Sequence, residues 1–212
     1  MATIDTLTIT PTLEVADPQA AHRFYTEAFG LGAQVRLRAT EAATAGFRGF
    51  ILALTVSQPA DVDRLASAAL AAGATSLKPA AKSLWGYGAV VQAPDGTIWK
   101  IATSAKKNTG PATGTIDEIV LLLGVADVAV SKRFYTAQGL KVAKSFGRMY
   151  AEFDAGSGPV KLALYRRRAL AKDVGVPPEG TGSHRLLIGG GAGPCTDPDG
   201  FAWDTVSPAL AS

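Results

Sequence analysis

The sequence predicts an α+β fold in which two copies of one unit form cupped, mostly antiparallel sheets with helices outside. Four landmarks of the first half return in the same order in the second half, 110 or 104 positions later. They are Val15-Ala16-Asp17 (again at 125–127), Phe24-Tyr25 (134–135), Pro94-Asp95-Gly96 (198–200) and Trp99 (Trp203). Each copy also reads as a strand, a helix and then several strands, an order typical of α+β units.

The first copy has clear helix and strand signals. Asp17 and Pro18 predict the start of a helix that Gly30 ends, and Gly73 ends a second helix. Alternating apolar residues predict the strands, and a Pro-Asp-Gly turn joins the last two. The predicted strands cover 6–15, 34–40, 47–56, 87–93 and 97–103, and the predicted helices cover 18–29 and 61–72.

The second copy repeats this order in a shortened form. Its predicted strands cover 116–125, 141–145, 148–154, 160–165, 184–188 and 201–206, with one helix over 128–138. A long connection containing Pro177-Pro178 precedes the last two strands, and the glycine-rich run 189–193 replaces the second helix. We therefore divide the chain into a first unit at 1–104, a polar linker at 105–114 and a second unit at 115–212.

Composition excludes several classes of protein. With 47% hydrophobic and 18% charged residues the chain is not wholly disordered, and its longest apolar run, 119–126, is too short to span a membrane. The N-terminus has no secretory signal pattern, and a single cysteine excludes an internal disulfide. A net charge of +3 is too small to indicate a nucleic-acid partner. We expect a soluble, cytoplasmic protein.

These landmarks resemble the vicinal oxygen chelate superfamily, which includes glyoxalase I, bleomycin-resistance proteins and extradiol dioxygenases. The matching segments are 13–17, 24–25, 78–79, 85–87 and 94–99 in the first copy, and 125–127, 134–135 and 197–203 in the second. The resemblance implies paired βαβββ motifs around a concave ligand site. It also implies a divalent metal held by His, Gln or Glu from the opening, middle and closing strands.

The positions that the resemblance assigns to metal ligands are poorly suited to a cation here. They fall at Thr10, Leu54 and Lys100 in the first unit and at Val120, His184 and Asp204 in the second. An ammonium group repels a cation, so we expect no metal in the first unit. The prediction is therefore no cofactor; the alternative is one divalent metal in the second unit, held by His184 and Asp204 with a third ligand such as Glu152.

Strand alternation places polar side chains on the concave face, where they either line a ligand pocket or simply meet water. The candidate ligand-binding residues are Arg36, Arg38, Trp85, Tyr87, Lys100, Arg148, Tyr150, Glu152, His184 and Asp204. Trp85 and Tyr87 lie in a predicted loop, 83–88, where two rings could flank a flat ligand. The alternative is that Trp85 packs between the two copies.

Two other motifs are not interpreted as functional. The run 166–168 is three arginines that we expect to be solvated, and Cys195 has no neighbouring base in sequence to make it a nucleophile.

The sequence favours a glyoxalase-like or bleomycin-resistance-like protein that binds a small organic molecule, aromatic or anionic, in a concave, metal-free pocket. The chain is expected to be a pseudo-dimeric monomer or a homodimer. One alternative is a metal-dependent lyase, isomerase or dioxygenase that uses the second unit. Another is a metal-free lyase with Glu152 or Asp204 as general base. A third is a partner-binding protein whose concave faces are filled.

Overall fold

The structure, a computed structural model, describes residues 8–154, 158–190 and 193–205. Small parts of three predicted segments lie outside these ranges: residues 6–7 and 206 of two strands, and 191–192 of the glycine-rich run.

The elements of the first half follow the predicted order with two additional strands. They are β1 (Thr10–Val15), α1 (Pro18–Phe29), β2 (Arg36–Ala39), β3 (Thr44–Gly46), β4 (Phe50–Thr55), α2 (Pro59–Ala71), β5 (Thr75–Ser83), β6 (Gly86–Gln92) and β7 (Ile98–Thr103). β3 and β5 were not predicted. Trp85 lies in the turn of the β5–β6 hairpin, so the predicted loop at 83–88 is instead a hairpin.

The second half contains one helix that the sequence did not predict. Its elements are β8 (Glu118–Val125), α3 (Val128–Ala137), β9 (Val142–Phe146), β10 (Tyr150–Phe153), β11 (Val160–Arg166), α4 (Arg167–Val174), β12 (Gly180–Gly182), β13 (Leu186–Gly189), β14 (Cys195–Thr196) and β15 (Ala202–Asp204). α4 lies in the predicted long connection, and β12 and β14 are further additions. The structure has no helix between β13 and β14 in the residues it describes.

Each of the two larger sheets takes strands from both halves of the chain. The eight-stranded sheet has the order β5-β6-β7-β4-β8-β11-β10-β9, and the five-stranded sheet has the order β14-β15-β13-β1-β2. β4 and β8 are antiparallel neighbours at the centre of the first, as are β1 and β13 in the second. The α+β prediction with mostly antiparallel sheets is thus confirmed, while the division into units at 105–114 stays a prediction.

The repeated Asp residues start the repeated helices, as predicted. The Asp17 carboxylate accepts the backbone N–H groups of Gln19 and Ala20, both at 2.9 Å, and Asp127 does the same at the start of α3. Gly30 ends α1 with φ of 65°, a left-handed conformation that glycine adopts without strain. Helices α1 to α3 share one hydrophobic core with both larger sheets.

The predicted linker is held against the start of α2. The Asp61 carboxylate accepts the backbone N–H groups of Thr113 at 2.6 Å and Gly114 at 2.7 Å, and Gln58 accepts that of Thr109 at 2.8 Å. Burial raises the pKa of Asp61, but the hydrogen bonds from Gly114 and Thr113 outweigh it and leave the pKa lowered. These hydrogen bonds therefore attach the linker to the N-terminal end of α2.

No helix in the described ranges is both long and apolar enough to cross a membrane.

Candidate functional site

One row of side chains crosses the four central strands of the eight-stranded sheet. Backbone register places Lys100 beside Ala53, Ala53 beside Val120, and Val120 beside Lys161. Paired residues of neighbouring strands point to the same side, so all four share one face, which we call the cup face. Ala53 therefore occupies the middle-strand position that the sequence assigned to Leu54, and Leu54 lies in the core on the opposite face.

Helix α4 covers part of the cup face. Leu170, Ala171 and Val174 are fully buried in a small apolar cluster with Ile51 and Val90 of the sheet. Arg167 holds the start of the helix, because its guanidinium donates to the backbone oxygens of Phe47 at 2.7 Å and Pro178 at 2.9 Å. The prediction of a solvated arginine run is thus wrong for Arg167, which is half-buried over the Phe47 ring.

Beside α4 the cup face carries an open cavity of about 410 Å³, within the usual range for small-molecule sites. Its apolar floor consists of Ile51, Ala53, Ala102 and Leu122. Its wall carries three aromatic rings, those of Trp85, Tyr150 and Tyr165. The Tyr150 and Tyr165 rings lie edge to face, 6.2 Å apart, and Trp85 is 84% exposed. A flat apolar molecule would find contact on several sides here.

A single ion pair lies in the cavity wall among the residues the structure describes. Lys100 Nζ donates to Asp173 Oδ2 at 2.6 Å, with the two side chains 33% and 40% exposed. Asp173 belongs to the last turn of α4, so the pair also connects that helix to β7. Partly exposed pairs of this kind contribute only about 0–1 kcal/mol to stability, and so the pair is not needed to hold the fold.

A second polar cluster lies next to the cavity, centred on the buried carboxylate of Glu152. Tyr150 donates its hydroxyl to Glu152 at 2.7 Å, and Lys144 and Lys161 lie 3.6 Å and 3.8 Å from the other oxygen. Lys161 also forms an ion pair with Glu118. Burial first, and then the hydrogen bond and charge of Glu152, raises the pKa of Tyr150. Tyr150 is therefore a neutral hydrogen-bond donor at physiological pH.

Two predicted ligand residues face away from the cavity. Arg148 lies in the turn before β10, where it bonds Asp127 at 2.9 Å and lowers the pKa of that carboxyl. Tyr87 lies on the helix side of β6 because it pairs with Thr103, and its hydroxyl donates to Asp63 at 2.8 Å. Neither residue lines the pocket, contrary to the prediction. Arg148 lies in a turn, where strand alternation does not apply, and the register of β6 places the Tyr87 side chain on the opposite face of the sheet.

The remaining candidates belong to the five-stranded sheet or its border. Arg36 and Arg38 lie on β2, where Arg38 forms an ion pair with Glu14, and Asp204 ends β15 beside Gly189. The His184 ring stacks on Phe201, and its Nδ1 and Nε2 contact the backbone oxygens of Arg48 at 2.5 Å and Asp199 at 3.2 Å. The structure therefore brings Trp85, Lys100, Tyr150 and Glu152 together and leaves the other six candidates elsewhere.

The donor set does not fit the divalent metal that the sequence resemblance implies. Across the cup face the row offers two ammonium groups, a methyl and an isopropyl group, none of which coordinates a divalent cation. In the second sheet Thr10 and Asp204 flank Gly189, and His184 has both ring nitrogens against carbonyl oxygens. Within the described ranges, no three His, Cys, Asp or Glu residues group as metal ligands.

The candidates drawn from the sequence did not include the following residues that line the cavity: Ile51, Ala53, Thr55, Ala102, Leu122, Tyr165 and Asp173. Tyr165 could have been found, because it lies four residues after Lys161 on β11 and thus shares the cup face. Ala53 carries no chemical signal, and Asp173 depends on a helix that the sequence did not predict. Cys195 remains outside the site, and its pKa is raised by burial and by the Asp197 charge, opposite to what an activated thiol needs.

Solved structures with the same architecture identify the fold. Glyoxalase I from Zea mays superposes with a TM-score of 0.58 at 16% identity, covering 92% of this chain and 89% of that one. A mutant of the same enzyme gives 0.59 at 16%, covering 93% and 92%. A candidate dioxygenase from Bacillus subtilis gives 0.56 at 13%, covering 92% and 72%. The chain has the fold of glyoxalase I.

No protein-family model matches the sequence, and no curated protein matches it.

Proposed function

We propose that this protein binds a small, flat organic molecule in the cavity of the eight-stranded sheet, without a metal ion. The observation that carries the proposal is the combination of an aromatic wall with an apolar floor at the centre of the cup face. Relatives with this fold include an enzyme, glyoxalase I, but here the row that would hold a metal offers lysine, alanine and valine.

In this proposal the protein is a binding protein and not a catalyst. Glu152 is the buried carboxylate nearest the cavity, and Lys144, Lys161 and the Tyr150 hydroxyl surround it. Its role is to fix the Tyr150 ring in the wall by accepting a hydrogen bond from the Tyr150 hydroxyl. Both halves of the chain supply strands to the cup, so one chain completes the site and a pseudo-dimeric monomer suffices.

Trp85 provides the test, because its ring is exposed and its removal leaves the core intact. Naphthalene-2-carboxamide, a flat neutral probe, is titrated calorimetrically into the protein. Trp85→Ala is expected to weaken its binding about tenfold, the loss of one stacking wall and its contact area. Leu84→Ala is the matched control, since Leu84 is the neighbouring turn residue, 77% exposed, and does not line the cavity.

Equal affinities for the wild type and Trp85→Ala would refute the aromatic wall. Binding without a metal ion is tested separately. The affinity for naphthalene-2-carboxamide is expected to stay the same after extensive dialysis of the protein against EDTA. Stoichiometric zinc, nickel, manganese or iron in the purified protein, with binding lost on chelation, would refute it.

A further inference from the structure

The ion pair in the cavity wall points to the chemical class of the ligand. We infer that the Asp173 carboxylate binds Lys100 at the position where the anionic group of a ligand would bind. An aromatic carboxylate displaces it on binding. This inference rests on the proposed function and adds to it a specificity-determining residue on α4.

Lys100 is the fixed member of the pair. It lies in the middle of β7, paired with Ala53 on one side and Val90 on the other. Of the described residues that line this cavity, Lys100 is the only cation and Asp173 the only anion. Without Asp173 at its side, the ammonium group would be the cavity's one charge, next to an apolar floor.

Asp173 is the movable member. Its side chain is the more exposed of the two, and it comes from the last turn of an eight-residue helix. The helix does not depend on it, because three fully buried apolar residues and Arg167 hold α4 in place. A rotation of the Asp173 side chain into solvent would free Lys100 while leaving the backbone of α4 where it is.

The surrounding charge favours an anion. Lys78 Nζ donates to the backbone oxygens of Lys172 at 3.0 Å and Asp173 at 2.6 Å, which places a second ammonium group at the same turn. Two lysines therefore contact the same turn of α4, Lys100 through the Asp173 carboxylate and Lys78 through backbone oxygens. A ligand carboxylate would take over the bond to Lys100 while its ring lies between Trp85 and Tyr150.

The test compares naphthalene-2-carboxylate with naphthalene-2-carboxamide, two probes of the same shape that differ in charge. Asp173→Asn is expected to raise the affinity for the carboxylate about fivefold, which corresponds to the free energy of one partly exposed ion pair. The affinity for the carboxamide is expected to stay unchanged. Lys100→Met is expected to reduce the affinity for the carboxylate to that for the carboxamide. Glu41→Gln and Lys107→Met, at exposed positions outside the cavity, are the matched controls.

The outcomes separate this inference from the proposed function. If both probes bind and Asp173→Asn leaves their affinity ratio unchanged, the inference is wrong while the binding cavity stands. If naphthalen-2-ylmethylammonium binds more tightly than the carboxamide and Asp173→Asn abolishes this preference, the cavity selects cations and the inference is likewise overturned. If neither naphthalene probe binds the wild type, both are refuted.

Discussion

The two halves of the chain are alike in their aromatic core contacts, whereas the two larger sheets that they share differ from each other. In the first half the Tyr25 hydroxyl donates to Asp95 at 2.5 Å, and its ring lies 5.3 Å from that of Trp99 at 52°. In the second half Tyr135 donates to Asp197 at 2.5 Å and lies 5.3 Å from Trp203, also at 52°. Burial raises the pKa of both tyrosines.

The two larger sheets, in contrast, differ in the side chains and elements on their faces. The eight-stranded sheet has α4 and a cavity with an aromatic wall, whereas the five-stranded sheet has an arginine-bearing edge strand and a glycine between Thr10 and Asp204. Packing therefore constrains both halves of the chain alike, while the faces of the two sheets outside the shared core differ.

The largest expected effect tests the shared packing. Trp99→Ala and Trp203→Ala should each lower the free energy of unfolding by about 3–5 kcal/mol, because each removes a buried ring and leaves a cavity beside a helix. Urea denaturation followed by circular dichroism measures both. A loss for Trp203→Ala far below that for Trp99→Ala would show that the two clusters are not equivalent.

A smaller effect concerns the linker that joins the halves. Asp61→Asn should destabilise the protein by about 1–3 kcal/mol at neutral pH, because a buried carboxylate that accepts backbone N–H groups becomes a weaker amide acceptor. The lowered pKa of Asp61 means that its contribution is present above its unfolded pKa of about 3.9 and is lost as pH falls through the folded pKa.

The difference between wild type and Asp61→Asn should therefore shrink in acid below about pH 4. Denaturation series at several pH values measure this. Asp117→Asn is a suitable control, since Asp117 is exposed and accepts a hydrogen bond from Ser57. A difference that stays constant down to pH 2 would contradict the charge-based account.

The smallest expected effect concerns the ion pair between Lys100 and Asp173. Asp173→Asn should change the free energy of unfolding by less than about 1 kcal/mol, because both members of its ion pair are partly exposed and solvent screens them. The same denaturation assay measures it. A loss of several kcal/mol would mean that the pair holds α4 in place, contrary to the role we assign to it.

Sequence patterns predicted the elements whose residues obey simple rules. The helix at 18–29 was predicted with its observed bounds because Asp17 caps it and Gly30 ends it. β5 was missed because its residues are mostly exposed and include Lys78, Pro79 and Lys82, which do not alternate with apolar residues. α4 was missed because it begins in an arginine run without a capping side chain.

The candidate site was predicted in part, for reasons of the same kind. Alternation placed Lys100, Tyr150 and Glu152 correctly on the cup face, and Trp85 reached the cavity from a hairpin turn. It failed for Tyr87, because the register of β6 on β7 pairs this residue with Thr103 and so places it on the helix side of the sheet. His184 could not be placed from the sequence, because carbonyl groups distant in the chain, such as that of Arg48, hold its ring.

The central claim is that the ligand binds in the cup of the eight-stranded sheet, and two matched substitutions test it most directly. Ala102 lines that cavity on β7, and Ala202 lies at an exposed position of β15 in the five-stranded sheet. Calorimetric titration of EDTA-dialysed protein with naphthalene-2-carboxamide should show one site that Ala102→Trp abolishes and Ala202→Trp leaves intact. Binding that survives Ala102→Trp and disappears in Ala202→Trp would contradict the account.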